Sequence, residues 1–321
     1  MEIKEITLDR LDPAQFIARK SQELSAAVGE GFAVNALSGG VDSSVVTALG
    51  HKALGNRLKA YFIDNGIMRK DEPEQIAEQF MNLGIPIEII DAKDRFFAAL
   101  KGLTDPEEKR EAITQTFYKD VFGELVKKSG ARFLLQGTIF TDVEETVAGV
   151  KRQHNILAQL GIDTVGQFGY EVIEPLIELR KPGVRKIGEA LCLPHGVYNR
   201  PPFPGPALAA RIIGEVTRER VALVREATAI VEEELAGSGA FQYLAILHED
   251  KVTGIRNGKR DYGSQIEVRC WESTDAKTAT PSRLDFDILQ KLAGRMTAEI
   301  PGVVSVTYNI TSKPTSTIEA V

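Results

Sequence analysis

A strand, a glycine turn and a helix follow one another in a single short segment near the start of this chain. The segment reads NALSGGVDSSVVTALG, from Asn35 to Gly50. Its apolar first part predicts a buried strand, and its second part predicts a helix. Gly39 and Gly40 let the backbone approach a ligand where the unpaired N–H groups of the helix start lie. The segment therefore predicts a strand that leads directly into a helix, with an anion site between them.

The polar side chains of this turn narrow the choice of anion. We place Asp42 and Ser43 at the cap of the helix and Ser44 in its first turn. No Gly-Lys-Ser/Thr motif occurs here, so the turn lacks the lysine with which a Walker loop reaches a transferring phosphate. Amides and hydroxyls are predicted to hold a whole pyrophosphate, with Asp42 available for Mg²⁺. A tight turn with a good helix cap is the alternative interpretation.

Short apolar runs alternate with helical patterns through the first part of the chain. The runs predict buried parallel strands, and their succession predicts an α/β fold, a doubly wound parallel sheet with helices on both faces. Such a sheet binds ligands at the carboxyl ends of its strands. The predicted strands are 31–37, 58–64, 85–91, 131–137 and 170–175, and the predicted helices are 43–54, 72–83, 106–128 and 183–191.

A proline-rich stretch, YNRPPFPGPALAARIIGEV at 198–216, interrupts this pattern. Because so many prolines forbid regular structure, we place the domain boundary here, between residues 1–199 and residues 200–321. The second domain is predicted to be a smaller α+β unit with an antiparallel sheet. Its predicted elements are helix 218–236, strands 241–247 and 264–271, helix 286–299 and strand 303–310.

Composition and charge exclude several classes of protein. No segment has the roughly 20 apolar residues that span a bilayer, and the first residues lack the pattern of a secretion signal, so we expect a cytoplasmic protein. A net charge of −6 argues against a protein built around nucleic acid. Cys192 and Cys270 are too far apart in sequence to suggest a metal site or a disulfide framework.

The motif Ser-Gly-Gly-Val-Asp-Ser-Ser resembles the pyrophosphate loop of the N-type ATP pyrophosphatases, the group that includes GMP synthetase and NAD synthetase. Further segments occur in the order found in GMP synthetase and cover nearly the whole chain. The chain most resembles the ATP pyrophosphatase part of that family, made as a separate subunit. The segments are FIDNGIMRKDEPEQ at 62–75, DAKDRFFAALKGLTDPEEKR at 91–110, QGTIFTDVEET at 136–146, KRQHN at 151–155, IEPLIEL at 173–179, RPPFPGPALAARIIGEV at 200–216 and SKPTSTIE at 312–319.

The resemblance implies a reaction in which ATP adenylates the C2 oxygen of xanthosine monophosphate, pyrophosphate leaves, and ammonia displaces AMP to give GMP. It implies ATP and Mg²⁺ as cofactors, with Asp42 and Asp142 as metal ligands. Asp42 is also implied to be catalytic, together with Lys151 and His154, which match a mobile lid. The residues implied to bind ATP are Ser38, Gly39, Gly40, Asp42, Ser43, Ser44, Phe62, Gln136, Gly137 and Thr138.

In the second domain, which resembles a dimerisation domain that completes the nucleotide site, four residues match substrate-binding positions. Arg211 and Lys313 suit a phosphate dianion, and Ile318 and Glu319 match residues near the purine. Structural alternatives remain open: Phe62 as core, Gly137 as a simple turn residue, Asp142 as a helix cap, and Lys151, Lys313 and Glu319 as solvated surface residues.

The resemblance also implies partners. GMP synthetases take ammonia from a glutamine amidotransferase with a nucleophilic cysteine, and neither cysteine here has a nucleophile context. We therefore expect ammonia from solution or from a separate glutamine amidotransferase subunit, and a homodimer formed through the second domain.

Several positions depart from the family pattern. Gln153 replaces a histidine, Pro182 and Gly183 replace two carboxylates, and 253–283 matches poorly. Two other hypotheses are therefore kept. One is a related ATP pyrophosphatase that adenylates a different nucleotide or carbonyl for amidation or sulfur transfer. The other is a nucleotide-binding regulatory subunit without turnover, which the intact loop disfavours.

Overall fold

The computed structural model describes residues 3–147, 170–199, 203–256, 258–274 and 276–320. Two compact units make up this part of the chain. The first unit contains described residues within 1–64, 72–92 and 115–200, and the second contains those within 65–71, 93–114 and 201–321.

The core of the first unit is a sheet of five parallel strands, β1 to β5, in the order β3-β2-β1-β4-β5. The strand order reverses between β1 and β4, which is where ligands bind in sheets of this kind. The predicted doubly wound sheet is confirmed, and β2 has the predicted bounds. The strands are Ala33–Leu37 (β1), Leu58–Asp64 (β2), Ile87–Asp91 (β3), Phe133–Leu135 (β4) and Glu171–Ile173 (β5).

Helices connect these strands, as the alternating pattern predicts. Within the segments described up to residue 199, they are Pro13–Val28 (α1), Val41–Leu54 (α2), Glu72–Asn82 (α3), Lys93–Leu100 (α4), Pro106–Gln115 (α5), Gly123–Ser129 (α6), Phe140–Val147 (α7), Lys181–Ala190 (α8) and His195–Tyr198 (α9).

The predicted single helix 106–128 is interrupted in the structure. A π-helix, Thr116–Phe122, separates α5 from α6. The rings of Phe117 and Tyr118 meet edge to face at 4.9 Å between centroids, and those of Phe117 and Phe122 stack at 6.4 Å. Wider turns of this kind occur frequently at functional sites.

The second unit contains a four-stranded sheet and two long helices. Strands β6 and β7 form an antiparallel hairpin, β8 pairs with β7 antiparallel, and β9 pairs with β7 in parallel. The predicted antiparallel sheet is confirmed for β6, β7 and β8, and β9 adds a parallel pairing, because the helix between β8 and β9 returns the chain before it pairs. These elements are Arg218–Leu235 (α10), Gln242–Arg256 (β6), Lys259–Glu272 (β7), Thr280–Pro281 (β8), Phe286–Glu299 (α11) and Val303–Tyr308 (β9).

Two early segments pack within the second unit. Arg225 of α10 donates to the carbonyl oxygens of Gly66 (2.6 Å) and Met68 (2.9 Å). The buried Lys109 of α5 donates through Nζ to the carbonyl oxygen of Ile212 at 2.9 Å. The domain division predicted at residue 200 stays a prediction. It differs from the packing units, because the second unit also contains residues 65–71 and 93–114.

Among the described residues, no helix combines the length and apolar character needed to cross a membrane.

Candidate active site

Hydrogen bonds from its own serine side chains stabilise the turn between β1 and α2. The hydroxyls of Ser38 and Ser43 are 3.0 Å apart, and Ser43 also donates to the carbonyl oxygen of Gly40 at 3.1 Å. The N-cap residue is Gly40, so the prediction that Asp42 and Ser43 form the cap was wrong; both lie in the first turn of α2. Because glycine offers no capping side chain, this helix start is open to an external anion.

A cavity of about 300 Å³ adjoins this turn at the carboxyl ends of β1 and β4. Polar groups from the end of β1, the start of α2, the end of β4 and the start of α7, together with the aromatic rings of the π-helix, form much of its wall. Of the predicted ATP-site and metal-site residues, Gly39, Ser44 and Phe62 are not in its lining. The lining residues are Asn35, Ala36, Ser38, Gly40, Asp42, Ser43, Phe117, Tyr118, Phe122, Leu134, Leu135, Gln136, Gly137, Thr138 and Asp142.

The three predicted residues outside the lining have other surroundings. Phe62 lies on β2, which pairs with a strand on each side, and is fully buried. Gly39 stays in the turn with a φ of 74°, which a glycine adopts without strain. The Ser44 side chain is fully buried in α2. Phe62 therefore fits the core interpretation, and Gly39 shapes the turn.

Asp42 is the most unusual charged group in the cavity. Its Oδ2 accepts a hydrogen bond from Lys181 Nζ at 2.6 Å, whereas its Oδ1 is buried and has no hydrogen-bond partner among the described residues. Burial raises the pKa of Asp42, Lys181 acts to lower it, and the nearby charge of Asp142 raises it further. A buried carboxylate oxygen without a partner is costly, so a cation or donor from a ligand would fit here.

Asp142 combines two of the predicted interpretations. It lies in the first turn of α7, where its Oδ2 accepts a hydrogen bond from the backbone N–H of Ile139 at 2.9 Å. This is the reciprocal half of a capping box, so Asp142 does stabilise the helix start. It also lines the cavity and faces the charge of Asp42.

The end of β4 supplies Gln136, Gly137 and Thr138. A Cβ at Gly137 would lie 3.2 Å from Asp42 Cβ and 3.3 Å from Ser43 N, so any other residue here would press against the start of α2. Thr138 donates to Glu174 Oε1 at 2.6 Å. The buried Gln136 Oε1 has no hydrogen-bond partner in the described part of the chain, as with Asp42 Oδ1.

Sequence reasoning missed four residues that contribute to this site. In the sequence, Lys181 lies in a segment that departs from the family pattern, and nothing there marks it as a site residue. In the structure, its Nζ pairs with Asp42. The aromatic residues Phe117 and Tyr118 fall in what the sequence predicts to be an ordinary helix. Asn35 falls in a predicted strand, yet it donates to the carbonyl oxygen of Leu135 at 2.7 Å and thereby joins β1 to β4 beside the cavity.

In the second unit, three of the four predicted substrate residues lie together. Arg211, whose side chain is 1% exposed, donates from Nε and Nη2 to the Glu319 carboxylate at 3.1 and 3.2 Å. Ile318, beside Glu319, packs against the cluster of Leu244, Ile246, Trp271 and Ala279. Lys313 instead donates from Nζ to the carbonyl oxygen of Ala276 at 2.8 Å.

Lys151 and His154, predicted to be catalytic, lie outside the described residues.

Comparison with known proteins bears on both units. A sequence model of the NAD synthase family matches residues 15–207, and one of the GMP synthase C terminal domain matches residues 230–320. Proteins named as one subunit of glutamine-hydrolyzing GMP synthase match from Archaeoglobus fulgidus, at 48% identity over 96% of this chain and 99% of that protein, and from Pyrococcus horikoshii, at 46% identity with the same coverage. The Methanocaldococcus jannaschii protein of the same name is 44% identical, again over 96% of this chain and 99% of its own length.

The chain belongs to this family of GMP synthase subunits. The predicted family and the predicted enzyme class, a ligase that forms GMP as a separate subunit, are therefore confirmed. A solved structure of NMN synthetase from Francisella tularensis superposes on 61% of this chain and 78% of that chain with a TM-score of 0.45 and 18% identity, which is too weak to inform the fold of this GMP synthase subunit.

Proposed function

We propose that this chain uses the cavity beside β1 and β4 to transfer the adenylyl group of ATP to the C2 oxygen of xanthosine monophosphate. Pyrophosphate leaves, and ammonia then displaces AMP to give GMP. The observation that carries this proposal is the buried Oδ1 of Asp42 at the open start of α2, which has no hydrogen-bond partner in the described part of the chain and lies in a cavity lined by serine hydroxyls.

The serine turn would hold the leaving pyrophosphate. Pyrophosphate leaves easily only when its negative charge is stabilised, and the start of a helix together with hydroxyl donors provides such stabilisation. Ser38 and Ser43 lie at this start, and Lys181 brings a positive charge to the same point through its contact with Asp42. Burial raises the pKa of Asp42, and the positive charge of Lys181 counteracts this rise.

Mg²⁺ fits the carboxylates of this cavity. No group of three or more His, Cys, Asp or Glu that could hold a metal exists among the described residues. Mg²⁺ usually binds through one or two carboxylates together with substrate phosphates, and Asp42 and Asp142 provide such a pair. Once bound, Mg²⁺ would supply positive charge to the β- and γ-phosphates.

The acceptor nucleotide is proposed to bind residues of the second unit. Ile318 would contact the purine, and Lys313 and Arg211 would serve its phosphate. The Arg211 guanidinium is paired with Glu319, so its charge is largely neutralised. We infer that Arg211 fixes Glu319 and reaches the nucleotide only through Nη1, which has no hydrogen-bond partner in the described structure.

Ammonia is proposed to come from a separate glutaminase subunit, as the name of the relatives suggests. The chain is proposed to act in the cytoplasm, as a homodimer formed through residues 200–321. Light scattering at micromolar concentration tests the dimer, and a monomer under those conditions would contradict it.

The decisive experiment measures pyrophosphate release from the purified chain with Mg²⁺, ATP and ammonium, with and without xanthosine monophosphate, while chromatography follows GMP. Equal amounts of GMP, AMP and pyrophosphate, formed only with the acceptor, support the proposal. ATP binding without any response to xanthosine monophosphate would indicate that the site serves another acceptor. The neutralised charge of Arg211 favours this alternative. ATP binding with no pyrophosphate release under any condition would indicate a regulatory nucleotide-binding subunit.

A further inference from the structure

A buried arginine on β7 donates hydrogen bonds to three consecutive backbone carbonyl groups. Arg269 Nη1 donates to the backbone oxygens of Thr317 at 2.8 Å and of Ile318 and Glu319 at 3.3 Å each. The Arg269 side chain is 9% exposed. Residues 317–319 form neither helix nor strand, so these contacts replace the hydrogen bonds that regular structure would supply.

Arg269 is itself held by an acidic residue two positions earlier. Its Nε donates to Glu267 Oε1 at 2.5 Å, and Glu267 also accepts from His248 Nε2 at 2.8 Å and from Asn309 Nδ2 at 2.9 Å. Burial acts to raise the pKa of Glu267, but these hydrogen bonds lower it to about 2. The carboxylate is therefore ionised at neutral pH and fixes the direction of the guanidinium.

The side chains of the same segment are anchored elsewhere. Ile318 packs against the cluster that contains Trp271, and the Glu319 carboxylate accepts from Arg211 and from Gln242 Nε2, the latter at 2.7 Å. Backbone and side chains of 317–319 are thus held from different elements of one unit. Arg211 Nη1, buried beside this anchor without a partner among the described residues, is a donor that a ligand oxygen could satisfy.

We propose that Arg269 is a positioning residue that docks the 317–319 segment, so that Ile318 and Glu319 are fixed in place before the acceptor nucleotide binds. The inference rests on the proposed function, because it assigns these residues to the acceptor and not to ATP. Preorganisation of this kind lowers the ordering cost of binding, so its loss weakens acceptor binding and leaves the ATP site unchanged.

The chain provides its own reporter for this docking. Trp271 is the sole tryptophan, it is 1% exposed, and Ile318 packs against its cluster. Fluorescence excited selectively at tryptophan should therefore respond when the segment leaves. The variant is Arg269→Met, which keeps the stem and removes the charge and the donors. Arg256→Met is the matched control, since Arg256 also donates to a backbone carbonyl, that of Val303, and also pairs with a carboxylate, that of Asp261.

We expect Arg269→Met to shift Trp271 emission to longer wavelength, to increase quenching by acrylamide, and to raise the KM for xanthosine monophosphate on the order of tenfold. The KM for ATP should not change, and Arg256→Met should behave as the wild-type chain. Unchanged Trp271 emission and acceptor KM in folded Arg269→Met would overturn the proposal, as would an equal rise in both KM values.

If Arg269→Met does not fold, Arg269→Lys replaces it. Lysine keeps the charge beside Glu267 but cannot match the planar set of donors, so the same two changes are expected at smaller size. Wild-type behaviour of Arg269→Lys in both readouts would overturn the proposal. Failure of the wild-type chain to use xanthosine monophosphate would instead contradict the proposed function, and the Trp271 readout would still decide whether Arg269 docks the segment.

Discussion

Asp42 has an unsatisfied hydrogen-bonding group that a bound ligand would satisfy. One carboxylate oxygen is paired with Lys181 and the other is buried without a partner in the described structure. Such an arrangement costs stability, because a buried polar atom loses its hydration. Functional sites commonly keep features of this kind, since the ligand restores the missing interaction.

The first prediction concerns this carboxylate. Asp42→Asn keeps the size of the side chain but removes the charge, so we expect pyrophosphate release to fall on the order of a hundredfold while the fold is retained. Circular dichroism and a pyrophosphate assay measure the two effects. Asp287→Asn is the matched control, because Asp287 also lies in the first turn of a helix, α11. An unchanged rate for Asp42→Asn would remove Asp42 from the mechanism.

The second prediction concerns Glu267, which has a pKa of about 2 against an ordinary value of 4.5. A lowered pKa in the folded state stabilises the protein above the unfolded pKa, and this contribution is lost as the pH falls toward 2. Glu267→Gln should therefore lose less stability between pH 5 and pH 3 than the wild-type chain, within a total of about 3 kcal/mol.

Thermal unfolding at several pH values measures this difference. Glu299→Gln is the control, since Glu299 pairs with Arg295 on the surface, where solvent weakens such pairs, and its slope should match that of the wild-type chain. A Glu267→Gln slope equal to that of the wild-type chain would contradict the lowered pKa.

At the residue scale, the sequence predicts contacts between residues that are close in the chain, but not contacts between residues that are far apart in it. The serines and glycines of the turn could be placed together because they are adjacent in the sequence. The pairs Lys181 with Asp42 and Arg211 with Glu319 are separated by 139 and 108 positions. Only the fold brings them together, and no periodicity in the sequence reports such contacts.

At the scale of elements, the close approach of the end of β4 to the start of α2 depends on one glycine. Gly137→Ala would place a methyl group 3.2 Å from Asp42 Cβ and 3.3 Å from a backbone nitrogen. We expect a loss of about 1–3 kcal/mol in stability and weaker ATP binding, because the helix start must move. Thermal unfolding and calorimetric titration with ATP measure both. Gly196→Ala is the control, since a Cβ there meets nothing within 4 Å; equal behaviour of the two variants would contradict the prediction.

The π-helix carries a prediction of its own. Phe117 lines the cavity from this element, so Phe117→Ala should weaken ATP binding on the order of tenfold through the loss of an aromatic surface. Titration with ATP measures the affinity. Phe286→Ala, at an exposed position on α11, should leave it unchanged. An unaltered affinity of Phe117→Ala would show that the nucleotide does not use this wall.

Elements were predicted best where burial dominates the pattern. The bounds of β2 and α11 match the prediction because their apolar residues repeat clearly and their ends carry strong signals. The π-helix was missed because a run of apolar and aromatic residues looks the same in an α-helix and in a wider turn. The parallel pairing of β9 was missed because strand order and direction are not encoded locally.

At the scale of the whole molecule, the source of ammonia gives the fifth prediction. The chain purified alone should form GMP with ammonium and not with glutamine, and adding a separately made glutaminase subunit should make glutamine effective. Chromatography of GMP measures both conditions. Xanthosine monophosphate and ATP kept with neither nitrogen source are the control. GMP formed from glutamine by the chain alone would contradict the need for a partner.

The membership of residues 65–71 and 93–114 in the second unit has a consequence for synthesis on the ribosome. Lys109 finds its carbonyl partner 103 positions later, Gly102 finds Glu215 113 positions later, and Asp94 finds Arg218 124 positions later. At translation rates of about 5–20 residues per second, Lys109 waits about 5 to 20 seconds for its partner. During that interval the nascent chain exposes Phe96, Leu100, Lys109 and Ile113, which are buried in the folded protein, and a chaperone that covers 93–114 would shield them.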